Sequence, residues 1–305
     1  MLASGRELSN RADVTEVFLN KLALFSEYSA AATCENNFNS TEGTKVVCDP
    51  GICPHLERTD TEILTSFQGQ NPGNTTGFVA LDRTHKTIVL SFRGSEYKGN
   101  YDTDIDFPQV PVPELCADCM AHEGFLYAWG NVSAVVLPII QCASRLYPSY
   151  TVAFTGHSLG GALSTLGATF QRNANQTVDL YTFGSPQVGN HSLAEIITNA
   201  TLGMNYRVTH SDDPVPRILG TEKAVTKHWQ YSQSSPEYWI ISNNTANVTP
   251  SDIEVIKGID NTAGNLGQTG CDFQAHQWYI GNMTGCSRNG QSGNSTEITK
   301  LLCDL

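Results

Sequence analysis

Residues 151–163 read Thr-Val-Ala-Phe-Thr-Gly-His-Ser-Leu-Gly-Gly-Ala-Leu, and no other stretch restricts the fold as much. The first five are β-branched, aromatic or small, as in a buried strand. From Ala162 onward, Ala162, Leu163, Leu166 and Phe170 fall at helical spacing. Between them lies Gly156-x-Ser158-x-Gly160. A strand that turns directly into a helix leaves the serine strained, with its Oγ exposed. Side chains at 156 and 160 would collide there, which is why both are glycine. The helix beginning just after aims its N-terminal N–H groups at the serine, where negative charge develops during acyl transfer. Ser158 is therefore the candidate nucleophile.

The rest of the chain supplies the setting for one α/β domain over residues 1–305. No linker, composition break or internal repeat divides it. The charge of −12 disfavours nucleic acid as a partner. The longest apolar run, 134–140, is short and contains Pro138, so no membrane span is expected. Nine cysteines and ten Asn-x-Ser/Thr sequons, at Asn39, Asn74, Asn131, Asn175, Asn190, Asn199, Asn243, Asn247, Asn282 and Asn294, point to a secreted, extracellular protein. Residues 1–6 have no apolar core of the signal-peptide kind, so the sequence is expected to be a mature form.

Helices are expected at 14–28, 132–146 and 191–197, and strands at 78–81, 87–92, 178–183, 205–209, 238–241 and 253–256. Their alternation predicts an α/β fold. The strand 87–92 delivers Arg93-Gly94-Ser95 at its carboxyl end, where sites of such sheets lie. Residues 96–106 are polar with aromatic teeth. Cys48 and Cys53 are close enough to clip one loop. Cys116-x-x-Cys119 lacks a second Cys/His pair and reads as a structural disulfide. The odd cysteine is assigned to Cys142, a buried free thiol among apolar neighbours.

A serine nucleophile needs a base, and the base needs an orienting acid. In the chain order Ser, Asp/Glu, His, the acid follows Ser158 at a strand's carboxyl end. Asp212 and Asp213 both qualify, while Asp179 starts its strand and is on the wrong side. His228 and His276 are the histidines that follow. His276, on a loop before a short strand, is the better base, and His228 is read as structural.

These segments together resemble the secreted fungal lipases of the Thermomyces and Rhizomucor type, a family that also contains type-A feruloyl esterases. The likeness is carried by residues 24–32, 88–95, 122–125, 155–162, 183–190, 207–217, 234–240 and 276–279. It implies the α/β-hydrolase fold, a predominantly parallel central sheet flanked by helices, with a short lid at about 96–106. The family pattern H-x-x-D-x-V-P selects Asp213, so the implied triad is Ser158, Asp213 and His276. It makes Ser95 and Leu159 the oxyanion hole. It likens Tyr97, Asn100, Tyr101, Asp104 and Ile105 to the family lid. Phe125 is likened to a residue of the acyl groove, and His157 is grouped with it as substrate-binding. The implied disulfides are Cys34–Cys286, Cys48–Cys53 and Cys116–Cys119. The tail, 287–305, lies outside the likeness, and Cys271 with Cys303 would pin it.

Three departures stand out. Tyr101 occupies a position where relatives carry Trp, Thr33 stands where a Tyr is frequent, and the tail is extra. The implied activity is carboxylic ester hydrolysis by a serine acyl-enzyme, on acylglycerols, with lid contact to a lipid–water interface. A feruloyl esterase acting on plant phenolic esters is the alternative. A non-catalytic binding protein would have lost one of the triad positions. No cofactor, metal or nucleic acid is expected, and the protein is expected to be a monomer.

Overall fold

The computed structural model describes residues 14–70, 75–95, 108–220 and 230–287. The helices are α1 (Glu16–Ala31), α2 (Glu35–Phe38), α3 (Glu123–Leu146), α4 (Leu159–Asn173), α5 (His191–Thr198) and α6 (Phe273–Gln277). The strands are β1 (Thr61–Gln70), β2 (Thr75–Asp82), β3 (Thr87–Phe92), β4 (Gln109–Pro111), β5 (Met120–His122), β6 (Thr151–His157), β7 (Asp179–Phe183), β8 (Asn205–His210), β9 (Glu237–Ile240), β10 (Ile253–Ile256), β11 (Trp278–Tyr279) and β12 (Gly281–Asn282).

Eight strands form one sheet in the order β1-β2-β3-β6-β7-β8-β9-β10. From β3 to β9 every neighbour is parallel, and both edges are antiparallel. The predominantly parallel sheet expected from the chain is therefore present. Helices cover both faces. Alternation along β2 sends Val79 and Leu81 to the core shared with α3 and α4, and Phe78 and Ala80 to the core shared with α1. All of β2 and β3 is buried, as expected for strands covered on both faces.

α1 starts at the Thr15 cap, whose Oγ1 accepts from Phe18 N at 3.2 Å. Its polar residues are buried with partners. Tyr28 Oη donates to Asp82 Oδ2 at 2.9 Å, and Ser29 Oγ lies 2.8 Å from Thr155 Oγ1. Glu27 accepts the N–H groups of His55 and Leu56 at 2.9 and 2.7 Å. The polar part of the 24–32 stretch thus bolts α1 to the sheet and to the 53–58 loop.

β1 and α3 differ from expectation. β1 is an added edge strand with two register shifts; its Thr-Glu-Ile-Leu-Thr-Ser-Phe-Gln-Gly-Gln sequence has no clean period-2 pattern because of those shifts. α3 begins at Glu123, not at 132, and passes through Pro138. Its cap is His122, whose Nδ1 accepts from Phe125 N at 3.3 Å, an unusual capping residue. By length and composition α3 could cross a membrane. Its stripe of Phe125, Ala128, Trp129, Val132, Val136, Ile140 and Ala143 instead packs into the sheet core, which accounts for its apolarity.

Three disulfides join described residues to each other, Cys34–Cys286, Cys48–Cys53 and Cys116–Cys119. The first spans 252 residues and, in the chain-entropy account, restricts the unfolded chain by about 5 kcal/mol. Cys271 is also disulfide-bonded, and Cys303 lies outside the described residues. Cys142 is free, as expected, but exposed rather than buried. The helical stripe that enters the core contains Ile140 and Ala143, which turns position 142 to the outside.

Candidate active site

Ser158 is the turn between β6 and α4, with φ 56° and ψ −129°. That left-handed conformation is costly for a residue with a Cβ. Its neighbours leave no alternative path. A Cβ on Gly156 would overlap the Gly160 backbone, and one on Gly160 would overlap the Phe92 carbonyl. Ser158 N donates to Phe183 O at 2.9 Å, which ties the turn to β7. Leu159 opens α4, so its N–H belongs to the group of donors that a helix start leaves without a helical partner. The Arg93-Gly94-Ser95 loop lies alongside. A Cβ on Gly94 would sit 3.2 Å from Ser158 Cβ, and Ser95 is the next residue.

The acid arrives from the sheet's next-but-one strand. β8 ends at His210, and the chain turns through Ser211 at φ 43° before Asp213. Asp213 is fully buried. Its Oδ1 accepts from Val215 N at 2.9 Å. Its Oδ2 accepts from His276 Nδ1 at 2.8 Å and from Tyr279 Oη at 2.5 Å. Asn265 Nδ2 holds the Asp213 carbonyl at 2.9 Å and the Ser211 carbonyl at 3.1 Å. Asp212 points elsewhere, toward Gly270 and the Ser211 hydroxyl. Geometry thus separates two aspartates that chain order alone leaves equivalent.

His276 lies in the short helix α6, not on a loop. Its Nδ1 faces Asp213, which leaves Nε2 as the ring nitrogen turned away from the carboxylate. That atom is buried and has no hydrogen-bond partner among the described residues. Gly184, at φ +60°, runs under the pair. A Cβ there would lie 2.9 Å from His276 Nδ1 and 3.0 Å from Asp213 Oδ2. Only glycine allows the β7 end to pass so close.

Ser158, Asp213 and His276 are 3, 0 and 1% exposed. All three residues are buried in this structure.

His157 packs against His276. It is buried, and its Nε2–H donates to the His276 carbonyl at 2.7 Å. Its ring packs on the His276 ring at 4.4 Å and edge-on to Tyr279 at 5.9 Å. Burial, followed by the neighbouring His276, pushes its pKa well below the usual histidine value, so it stays neutral. His157 is thus in contact with His276 and Tyr279. Phe125 is buried and stacked face to face on His122 at 3.8 Å. Thr33 spends its hydroxyl on Ala30 O at 2.7 Å.

Tyr279 was not singled out from the sequence, although it stands three residues after the base in His276-Gln277-Trp278-Tyr279. Burial and the Asp213 charge push its phenol well above the ordinary tyrosine range, so it remains a donor. Asn265 carried no sequence signal at all. Tyr97, Asn100, Tyr101, Asp104, Ile105 and His228 lie outside the described residues.

The residues Cys48, Cys53 and Glu57 lie together as metal ligands might. The two sulfurs are joined to each other, so neither is a thiolate, and the group is structural.

Comparison with known proteins agrees with this architecture. Residues 89–223 match the family model described as lipase (class 3). The chain is 38% identical over 284 residues to secreted mono- and diacylglycerol lipase 1 of Fusarium solani, covering 92% of this chain and 82% of that protein. It superimposes on the crystal structure of the mono- and diacylglycerol lipase from Aspergillus oryzae with a TM-score of 0.81, at 36% identity, over 89% of this chain and 99% of that one. A triacylglycerol lipase whose catalytic centre is described as a serine protease triad matches with a TM-score of 0.72 at 27% identity, over 90% and 98% of the two chains. With the sheet, the Gly-x-Ser-x-Gly turn and relatives similar along nearly their whole length, the chain belongs to the class 3 lipases.

Proposed function

We propose that this protein is a secreted lipase that hydrolyses acylglycerols, mono- and diacylglycerols foremost, through Ser158, His276 and Asp213. The observation that carries the reading is the buried Asp213–His276 pair at 2.8 Å, with the far ring nitrogen unpartnered beside a strained Ser158 turn. The names of the relatives support lipase over feruloyl esterase.

His276 Nε2 takes the proton as Ser158 Oγ attacks the ester carbonyl carbon. The tetrahedral oxyanion is received by the N–H groups of Leu159 and Ser95, in a dry site where such donors act most strongly. The C–O bond to glycerol then breaks, and His276 returns the proton to the leaving alkoxide. Water attacks the acyl-Ser158 carbonyl with His276 again as base, and the fatty acid leaves. Asp213 never gains the proton. Held by Val215 N, Tyr279 Oη and His276 Nδ1, it fixes the tautomer and balances the imidazolium. Phe125 is assigned to the acyl side of the pocket.

The burial of the triad residues supports a movement of part of the molecule as substrate enters. We assign that movement to the 96–106 segment, with Tyr97, Asn100, Tyr101, Asp104 and Ile105, acting at a lipid–water interface on a monomeric enzyme. The test combines a serine-directed phosphonate with initial rates on monoolein, diolein, triolein and methyl ferulate. Phosphonate-sensitive hydrolysis, faster on the partial glycerides than on methyl ferulate, is expected. Preferential turnover of the ferulate would overturn the substrate assignment, and phosphonate-resistant turnover the mechanism.

A further inference from the structure

We propose that Asn199 is an occupied N-glycosylation site and that its first N-acetylglucosamine seats in a cavity built beside it. The fold sorts the sequons of this secreted chain by what their asparagines already do. Asn190 caps α5, and its amide is engaged at both ends. Its Oδ1 accepts from Leu193 N and Met120 N, each at 3.1 Å, and its Nδ2 donates to Asp118 O at 2.7 Å. A sugar on that Nδ2 would take one of its two hydrogens and press a ring against Asp118. Asn199 stands at the other end of the same helix, as its C-cap. Asn199 and Thr201 of the Asn-Ala-Thr sequon are both exposed, and neither side chain hydrogen-bonds to the described residues.

Asn199 also lines a cavity of about 200 Å³, together with Leu115, Arg172, Asn173, Ile196 and Leu202. Small-molecule pockets run to about 300–1,000 Å³, so this one fits a body nearer to a single sugar ring. Its chemistry is mixed in the way a pyranose is mixed. Leu115, Leu202 and Ile196, the last 39% exposed, offer an apolar surface to the C–H face of a ring. Arg172 offers a donor. The residue is 6% exposed, and its guanidinium has no carboxylate within salt-bridge distance among the described residues. Of its five N–H groups, four are spent: Nε on Val178 O at 2.9 Å, Nη1 on Asn205 Oδ1 at 2.6 Å, and Nη2 on Val178 O at 2.6 Å and Met204 O at 2.9 Å. One Nη1 hydrogen is left over on a residue that lines the cavity. A buried donor without an acceptor is costly, and the acetamido carbonyl of the sugar is an acceptor of the right kind.

The donor is the lipid-linked oligosaccharide of the secretory route. Asn199 Nδ2 forms a bond to the anomeric carbon and loses a proton. The bond from that carbon to the polyprenyl pyrophosphate oxygen breaks, and the pyrophosphate leaves with the electron pair. Once seated, the first sugar covers Ile196 and bridges the end of α5 to Arg172 and Asn173 near the end of α4. Sugars beyond the first extend into solvent and contribute nothing to the seat.

The experiment uses the full chain secreted from a glycosylating eukaryotic host. Glycopeptide mass spectrometry is expected to find oligosaccharide on Asn199 and none on Asn190. An endoglycosidase that leaves a single N-acetylglucosamine at each site is then applied to the wild type, to Asn199→Gln and to Thr201→Ala. The trimmed wild type should keep the Tm of the untrimmed protein. Both variants should melt lower by about 2–4 °C, Thr201→Ala with the Asn199 side chain intact. A bare Asn199, or equal Tm values for the trimmed wild type and both variants, overturns the proposal.

Discussion

At the turn after β6, Ser158 and Leu159 are placed by main chain alone. At the far side of the site, Asp213 and His276 are placed mainly by side chains, from three other positions, with one main-chain N–H beside them. The first arrangement follows from two glycines and one tight strand-to-helix path, because a methyl group at 156 or 160 meets backbone atoms that cannot give way. The second needs the Tyr279 hydroxyl, the Asn265 amide, the His157 ring and the Val215 N–H to converge on two residues 63 apart in sequence. Backbone placement is rigid and local. Network placement can be adjusted one bond at a time, and each bond can be removed without destroying the fold.

That contrast predicts a descending series of effects. Ser158→Ala and His276→Ala unite the two regions in a single reaction, so each should lower kcat by about 10⁶, with the double variant little worse. Additive losses would mean that the regions act independently and would break the comparison.

Tyr279→Phe removes one donor from Asp213 while keeping the ring. Hydrogen bonds to charged groups contribute about 1.5–3 kcal/mol, which corresponds to a loss in kcat of about 10- to 100-fold with KM little changed. The same residue has a pH signature. Its folded pKa is raised, so its stabilising share is whole below the ordinary tyrosine value of about 10 and is lost as pH rises beyond it. Melting curves between pH 9 and 11 should fall more steeply for the wild type than for Tyr279→Phe.

His157 should give the smallest effect. His157→Gln can still donate to the His276 carbonyl but loses the ring contact, so kcat should fall about 3-fold, whereas His157→Phe, without a donor, should lose about 10-fold. KM should be the same for short and long acyl chains in both, since the residue faces the base and not the substrate. Its folded pKa is depressed, so its stabilising share is present above about pH 6.5 and is lost as pH falls below it. Between pH 7 and pH 5 the wild type should therefore lose more Tm than His157→Gln. A KM that depends on chain length would return His157 to substrate binding.

The two regions also differ in how far they can be read from sequence. Gly156, Ser158 and Gly160 announce themselves because the steric problem and its solution lie within five residues. The parallel sheet is legible for a similar reason, since β3, β6 and β7 are short apolar runs with helices between them. Asp213 and Asp212 could be told apart only by family likeness, because the difference lies in which carboxylate meets α6. Asn265 and Tyr279 are ordinary residues whose roles come from what the folded chain brings to them. β1 and the first turns of α3 escaped for local reasons: strand bulges blur the alternation of the one, and a histidine cap hides the start of the other. Cys142 shows the reverse error, where apolar neighbours suggest burial but helical phase decides it.

The Cys34–Cys286 bridge has a further consequence for an enzyme released among proteases. It joins the end of α1 to the last part of the described chain and makes almost everything between them a covalent ring. One peptide bond cut in any loop of that ring opens the circle but separates nothing. The severed ends stay attached to a sheet whose eight strands are still in place. A nicked molecule should migrate as two fragments on a reducing gel and as one species without reductant, still able to hydrolyse ester. A second cut elsewhere in the ring is needed before any piece can leave.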